Sequence, residues 1–142
     1  MIRLTAHQFA TITRAAEAAY PDECCGLLAG HEIDDGWRVS RVVESRNVAQ
    51  GDHADSFEVD PQVRFDLMRA LDEAGGERMI GHYHSHPDHP ARPSERDRAM
   101  AYEPELVWII VSVADGRTEA TGAFRLNPEG DAFDDIDIVI SD

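Results

Sequence analysis

Two segments of the chain repeat apolar residues at helical spacing. The first runs from Thr5, a residue type favoured at helix N-caps, to Tyr20, and Pro21 ends it. The second begins at Asp60-Pro61, with proline at its first position, and stops at Gly75-Gly76. The predicted inward-facing residues are Phe9, Ile12, Ala16 and Ala19 in the first helix, and Val63, Leu67, Met68 and Leu71 in the second.

Seven other segments have the composition and alternation of strands, and one short segment between the fourth and fifth of them suggests a third helix. The predicted strands span residues 23–29, 37–48, 56–59, 78–84, 106–113, 118–126 and 132–140, and the short helix spans 94–102. Leu106 to Val113 is continuously apolar, so it should lie at the centre of the sheet. Strands mixed with helices predict one domain over 1–142, an α/β sandwich with a mixed sheet between helices.

Turn residues, and the alternation of apolar and polar residues, predict which strands form a hairpin and which side chains share a face. The polar, glycine-terminated stretch 31–36 should join strands 23–29 and 37–48 in a hairpin. Val39, Arg41 and Val43 should share one face of the second of these strands. Ile136, Ile138 and Ile140 should share one face of the last strand.

The candidate metal-binding residues lie in two segments, His84-Ser85-His86-Pro87 and Pro93-Ser94-Glu95-Arg96-Asp97. Two histidines two residues apart on an extended segment can aim their imidazole nitrogens at one point, and Pro87 should end the regular structure there. Ser94 suits a helix N-cap, which would place Asp97 on the first turn of that helix, facing back to the strand end. Two histidines, a carboxylate and an open position suit a catalytic zinc site.

This spacing, His-x-His-Pro and then Ser-x-x-Asp, resembles the signature of the JAMM (MPN-type) zinc metalloproteases. The segment 21–30, Pro-Asp-Glu-Cys-Cys-Gly-Leu-Leu-Ala-Gly, is similar to the stretch that carries the family's distant glutamate, here Glu23. The resemblance implies a three-layer, cytidine-deaminase-like fold. It also implies that His84, His86 and Asp97 bind Zn²⁺, while Glu23 acts as the base and Ser94 donates to the developing oxyanion.

The residues themselves leave alternatives open. Ser94 could serve only as a helix cap, and Glu44 or Glu58 could replace Glu23 as the base. His82 could join His84 and His86 in a three-histidine site, with Asp97 in an outer position.

Family resemblance also implies a substrate. Short members with a similar beginning act on ubiquitin-like sulfur-carrier proteins, so we expect a metallopeptidase that releases a C-terminal cysteine or another adduct next to a Gly-Gly tail. The tail could add as a strand to an exposed edge, with residues 49–55 and 88–93 as groove walls. The alternatives are a broader isopeptidase that removes ubiquitin-like modifiers from lysine and a non-catalytic MPN scaffold.

The composition of the chain indicates its cellular compartment and the state of its cysteines. The 142 residues contain no apolar run long enough to span a bilayer and no basic, apolar leader, so a cytoplasmic protein is expected. Cys24 and Cys25 are adjacent, which disfavours a mutual disulfide and the usual spacing of zinc ligands, so they should be reduced thiols in a buried strand.

The charge is strongly acidic, with 28 acidic and 13 basic residues and a net charge of -15. Every basic residue is arginine, since the sequence contains no lysine. An acidic surface repels DNA, RNA and anionic membranes, which argues against these partners. Self-repulsion on this scale favours a salt-adapted protein.

We therefore expect the folded state to gain stability in molar salt, because counterions screen the repulsion between surface carboxylates. Refolding yield and the free energy of unfolding in denaturant, measured at low salt and in molar KCl, test this. Equal values in both conditions would contradict salt adaptation.

Overall fold

The computed structural model describes residues 1–141, which form three helices and eight strands. In chain order these are β1 (Ile2–Leu4), α1 (Ala6–Ala19), β2 (Cys25–Ile33), β3 (Gly36–Ser45), α2 (Pro61–Ala74), β4 (Arg78–Pro87), α3 (Glu95–Ala99), β5 (Val107–Ala114), β6 (Arg117–Leu126), β7 (Phe133–Ile136) and β8 (Ile138–Ile140).

All eight strands belong to one mixed sheet in the order β7-β6-β5-β4-β2-β3-β1-β8. β4 runs parallel to β5, and β1 runs parallel to both β3 and β8. The other neighbours are antiparallel, including the predicted β2–β3 hairpin. β5 is flanked on both sides and buried over nearly its whole length, as its apolar sequence predicts.

The two outer strands of the sheet are consecutive in sequence. β7 and β8 stand at opposite ends of the strand order, yet Asp137 alone separates them. Two residues of extended chain span about 7 Å at most, so the sheet must curl until its edges approach each other. The prediction of a single strand over 132–140 is therefore wrong, although Ile136 and Ile138 both pack against the same core.

The long helices cover opposite faces of the sheet, which confirms the α/β sandwich. Ile12 and Ala16 of α1 pack with one set of strand residues, including Leu28, whereas Leu67 and Leu71 of α2 pack with another. Both helices begin as the sequence predicts. Thr5 and Gln8 form a reciprocal capping box, and Asp60 caps α2 with Pro61 at its first position.

Two bulges decide which side chains face which helix. Leu28 pairs with Gly81 and Ala29 with Met79, so Ile80 is the extra residue and the strand beyond it changes face. Ala29 also pairs with Arg41 and Gly30 with Val39, so Ser40 is the extra residue of a second bulge. This bulge separates Val39, which joins the α1 core, from Val43, which packs in the α2 core. The expectation that Val39 and Val43 share a face is wrong for this reason.

Several strands and helices have other limits in the structure than the sequence predicts. β1 was not predicted, the strand starting at Trp37 ends at Ser45, and residues 56–59 form no strand beyond the bridge between Asn47 and Val59. The helix predicted over 94–102 covers Glu95–Ala99 alone. Met68, predicted to face inward on α2, is 42% exposed.

Within residues 1–141, no helix combines the length and the apolar character that crossing a bilayer requires.

The close approach of β4 and β5 at Gly81 gives a test of the fold. A Cβ at Gly81 would overlap the backbone oxygen of Val107 in the neighbouring strand, which cannot turn away as a side chain can. Gly81→Ala should therefore lower the free energy of unfolding by about 1–3 kcal/mol. Urea denaturation measures this loss. Ala120→Ser, which also adds one heavy atom but at an exposed strand position, is the control and should change stability by less than about 0.5 kcal/mol. Equal effects of the two substitutions would contradict the strand geometry.

Candidate metal centre

Strand β4 carries both histidines of the motif. Pro87 is its last residue, so the strand continues past His84, where it was expected to end, and the loop begins at Asp88. His84 pairs with Cys25 on one side and Ile110 on the other, and His86 lies two residues further along the same face. His84 is fully buried and His86 is 5% exposed.

Helix α3 brings a carboxylate to the two imidazoles. Ser94 is its N-cap: the Asp97 N–H donates to Ser94 Oγ at 3.0 Å, and the Ser94 N–H donates to Asp97 Oδ2 at 2.9 Å. The same Oδ2 lies 3.0 Å from His86 Nε2 and 3.4 Å from His84 Nε2. The cap predicted from the sequence therefore fixes the Asp97 side chain beside the histidines.

Glu23 approaches from the other side, just before β2. Its backbone N–H donates to the His53 carbonyl at 2.7 Å, which ties the residue to the 49–55 loop. The residue is 5% exposed, and its buried Oε1 has no hydrogen-bond partner among residues 1–141. Glu23, His84 and His86 offer ligand atoms that all lie within 4.8 Å of one another, a group that could hold a metal ion.

The distances among the donor atoms fit a small tetrahedral cation. His84 Nε2 and His86 Nε2 are 3.1 Å apart, and each lies 3.0–3.4 Å from Asp97 Oδ2. Ligands at 2.0–2.1 Å around a tetrahedral zinc ion are separated by about 3.3 Å. Two imidazole nitrogens and a carboxylate oxygen are also a donor set typical of such an ion. The residues present therefore fit the metal that the motif implies.

Burial and hydrogen bonding set the charge states of these groups. Burial lowers the pKa of His84, which favours the neutral imidazole that a metal requires. Burial alone would raise the pKa of Asp97, but its hydrogen bonds with His84 and His86 outweigh this and hold the pKa well below its usual range. Burial raises the pKa of Glu23 to about 8, with the Asp97 and Asp55 charges adding to the shift.

The two imidazole rings are held in different ways. His86 Nδ1 lies 2.9 Å from the Pro90 carbonyl, an outer contact that orients the ring. His84 Nδ1 is buried without a hydrogen-bond partner, and the ring instead stacks on Phe57 with centroids 4.2 Å apart. Neither Pro90 nor Phe57 is identifiable from the motif, because each contact depends on how a loop folds back over the strand.

The alternative site residues make none of the close contacts that join His84, His86 and Asp97. His82 packs against Trp108 with ring centroids 4.5 Å apart, its ring lies 6.1 Å from that of His84, and burial lowers its pKa to about 3. Glu44 and Glu58 are exposed and also lie outside the cluster. Cys24 and Cys25 are free, buried thiols as predicted, and burial raises their pKa values to about 11 and 12.

A cavity of about 590 Å³ adjoins the centre on the α2 side of the sheet. Asp97 and His82 line it, together with residues 55–59 along one wall and residues 100–103 along another. Ala49 and Gln50 contribute from the loop that was expected to form a groove wall, whereas residues 88–93 do not line the cavity.

Comparisons with known proteins agree with this geometry. Residues 5–127 match the family model described as prokaryotic homologs of the JAB domain. The chain is 37% identical over 100 residues to a desampylase of Haloferax volcanii, covering 70% of this chain and 68% of that protein. It is 31% identical over 111 residues to a CysO-cysteine peptidase of Mycobacterium tuberculosis, covering 78% and 73%.

Solved structures give the same result for the fold. A protein from Desulfitobacterium hafniense superimposes with a TM-score of 0.84 and 32% identity, covering 99% of this chain and 93% of that one. A JAB1/MPN domain protein from Archaeoglobus fulgidus superimposes with a TM-score of 0.60 and 19% identity, covering 100% and 98%, and supports the fold alone. The chain therefore belongs to the family of prokaryotic homologues of the JAB domain and is a hydrolase of the JAMM metallopeptidase type.

Proposed function

We propose that this protein is a zinc-dependent peptidase that hydrolyses the amide bond following the C-terminal Gly-Gly of a ubiquitin-like sulfur-carrier protein, releasing cysteine or another short adduct. The observation that carries the proposal is the convergence of His84 Nε2, His86 Nε2 and Asp97 Oδ2 at 3.0–3.4 Å, with the Glu23 carboxyl beside them. The names of two relatives, a desampylase and a CysO-cysteine peptidase, support a substrate of this class.

In this proposal His84, His86 and Asp97 hold the zinc ion. When bound, zinc would supply Lewis acidity, which polarises a carbonyl oxygen and acidifies water at neutral pH. Glu23 is left for proton transfer in this proposal, because Asp97 Oδ2 already lies 3.0 Å from His86 Nε2. The Glu23 carboxyl lies within 4.8 Å of the histidine ligand atoms, close enough to accept a proton from water beside them.

Glu23 then acts as both base and acid. Its carboxylate takes a proton from the attacking water, whose oxygen bonds to the carbonyl carbon of the scissile amide. As the C–N bond breaks, the same carboxyl returns a proton to the leaving amine. The buried Oε1 of Glu23, which has no hydrogen-bond partner among residues 1–141, suits a group that must hold a proton between these two steps.

Ser94 can combine capping with catalysis. Its Oγ accepts a hydrogen bond from the Asp97 N–H, so its own O–H remains available as a donor. In the proposal this hydroxyl donates to the carbonyl oxygen as that oxygen becomes negative, a contribution of about 2.7–4 kcal/mol in a comparable oxyanion site.

We also infer that the protein is a salt-adapted cytoplasmic enzyme, as the charge predicts. Among residues 1–141, Glu23 and Asp97 are the only acidic residues that are buried. The remaining carboxylates lie at or near the surface, where salt screens them and where they oppose binding to nucleic acids.

Metal content tests the ligand assignment. Elemental analysis of the purified protein should find about one zinc per chain, and Asp97→Asn should bind zinc at least about 10-fold more weakly, since the amide keeps the shape of the side chain but loses its charge. His84→Ala should contain none. His89→Ala, which changes an exposed loop histidine, is the matched control and should retain the metal. Full zinc content in Asp97→Asn and His84→Ala would contradict the assignment.

Turnover tests the function. A ubiquitin-like sulfur carrier extended by one cysteine after Gly-Gly should lose that cysteine, as measured by mass spectrometry, and chelation of zinc should stop the reaction. Glu23→Gln should keep its zinc but react about 10²–10⁴-fold more slowly, because the amide cannot transfer the proton.

Glu44→Gln and Glu58→Gln, the alternative bases, are the controls and should retain turnover. Release from lysine-linked modifiers, with none from the cysteine-extended carrier, would instead favour the broader isopeptidase. Retained turnover in Glu23→Gln would place the base elsewhere.

A further inference from the structure

The cavity beside the metal centre contains two arginines in different states. Arg64 is fully engaged, because its two terminal nitrogens donate to the two oxygens of Glu103 at 2.7 and 2.8 Å. Arg96 has one weak partner: its Nη1 lies 4.0 Å from Asp55 Oδ1, and its side chain makes no hydrogen bond within residues 1–141. Arg96 is therefore the cation of this cavity with free donors.

Arg96 lies next to the elements that carry two of the site residues. It precedes Asp97 on α3, and its weak contact reaches Asp55 on the opposite wall of the cavity. The loop that carries Asp55 is anchored to Glu23 by the hydrogen bond from the Glu23 N–H to the His53 carbonyl. The Arg96–Asp55 contact thus joins the element that carries Glu23 to the helix that carries Asp97.

The chemistry of peptide hydrolysis indicates where the α-carboxylate of the leaving group lies relative to the Arg96–Asp55 contact. The leaving nitrogen must approach the Glu23 carboxyl to receive a proton. If the leaving group is a single amino acid, its α-carboxyl carbon lies about 2.5 Å from that nitrogen. Asp55 and Arg96 are among the charged groups that act on the Glu23 carboxyl, so the released carboxylate falls in the region that these two groups share with Glu23.

The surrounding charges favour a cation there. Four carboxylates among the described residues line the cavity, from Asp55, Glu58, Asp97 and Glu103, and the whole chain carries a net charge of -15. Arg64 neutralises Glu103, and a bound metal ion would offset Asp97. Asp55 and Glu58 remain to repel an anionic C-terminus, and a free cation beside them reduces that repulsion. A guanidinium is suited to this because its planar donors match both oxygens of a carboxylate.

We propose that Arg96 binds the free α-carboxylate of the residue that leaves, so that the enzyme is selective for tails that end one residue after Gly-Gly. This inference rests on the proposed function and makes it more specific. Arg96 is a specificity-determining residue at the leaving-group side of the cavity, and its weak contact with Asp55 is exchanged for the substrate carboxylate.

Two substrates that differ in one group provide the test. A ubiquitin-like carrier ending in Gly-Gly-Cys is prepared with a free C-terminal carboxylate or with a carboxamide, and kcat/KM is measured for each with the zinc-loaded protein. The wild type should prefer the carboxylate by about 10–100-fold, the effect expected of hydrogen bonds to a charged group. Arg96→Gln should reduce this ratio to near one, and Arg96→Lys should restore part of it.

Arg98→Gln is the matched control, because it removes the same charge from the same helix at an exposed position that does not line the cavity. It should keep the wild-type ratio. Equal rates on both substrates in the wild type, or an equal slowing of both by Arg96→Gln, would overturn the role of Arg96 while leaving the peptidase proposal intact.

A binding measurement separates the two proposals if no turnover occurs. Absence of release from either substrate would refute the proposed function. Calorimetric titration of the Glu23→Gln protein with the same two tails then measures their dissociation constants and tests the role of Arg96 independently of turnover. Tighter binding of the carboxylate form, lost on adding Arg96→Gln, supports the assignment, whereas equal dissociation constants overturn it.

Discussion

The structure depends on the burial of two imidazole nitrogens and one carboxylate oxygen within 3.0–3.4 Å of each other. Burying polar groups in this way is costly unless they are paired, and a tetrahedral cation satisfies all three at once. β4 supplies both histidines from one face because the bulge at Ile80 turns His82, His84 and His86 toward the α2 side. The capping box of α3 supplies the oxygen, so a local helix signal also fixes a site residue.

The environment of this centre is built by segments with little regular structure. The His53 carbonyl holds the backbone of Glu23, Phe57 covers the His84 ring, and the Pro90 carbonyl orients His86. The first two contacts come from the loop between β3 and α2, and the third comes from the loop between β4 and α3. The sheet provides the rigid framework, while the loops set the access, polarity and charge around the site, which is a common division of roles in enzymes.

The acidic surface and the charges in the cavity both affect how an anionic substrate reaches the site. An acidic surface repels anionic partners, yet the proposed substrate itself ends in a carboxylate. Arg64 and Arg96 are the cations of the cavity, and Glu103 neutralises the first of them. On the proposal for Arg96, the local arrangement of a few arginines, rather than the net charge, would therefore control which substrates approach.

The sequence by itself determined the elements with strong local signals. The helix limits at Thr5 and Asp60-Pro61, the buried central strand β5, and the cap at Ser94 all follow from neighbouring residues, and the motif brought Glu23, His84, His86 and Asp97 to attention. Tertiary structure alone decided the rest. The bulges at Ser40 and Ile80, the division of residues 133–140 into strands at opposite edges, and the pairing of β1 depend on partners far away in the chain. Periodicity records which residues are apolar, but strand register and sheet curvature depend on backbone hydrogen bonds between distant segments.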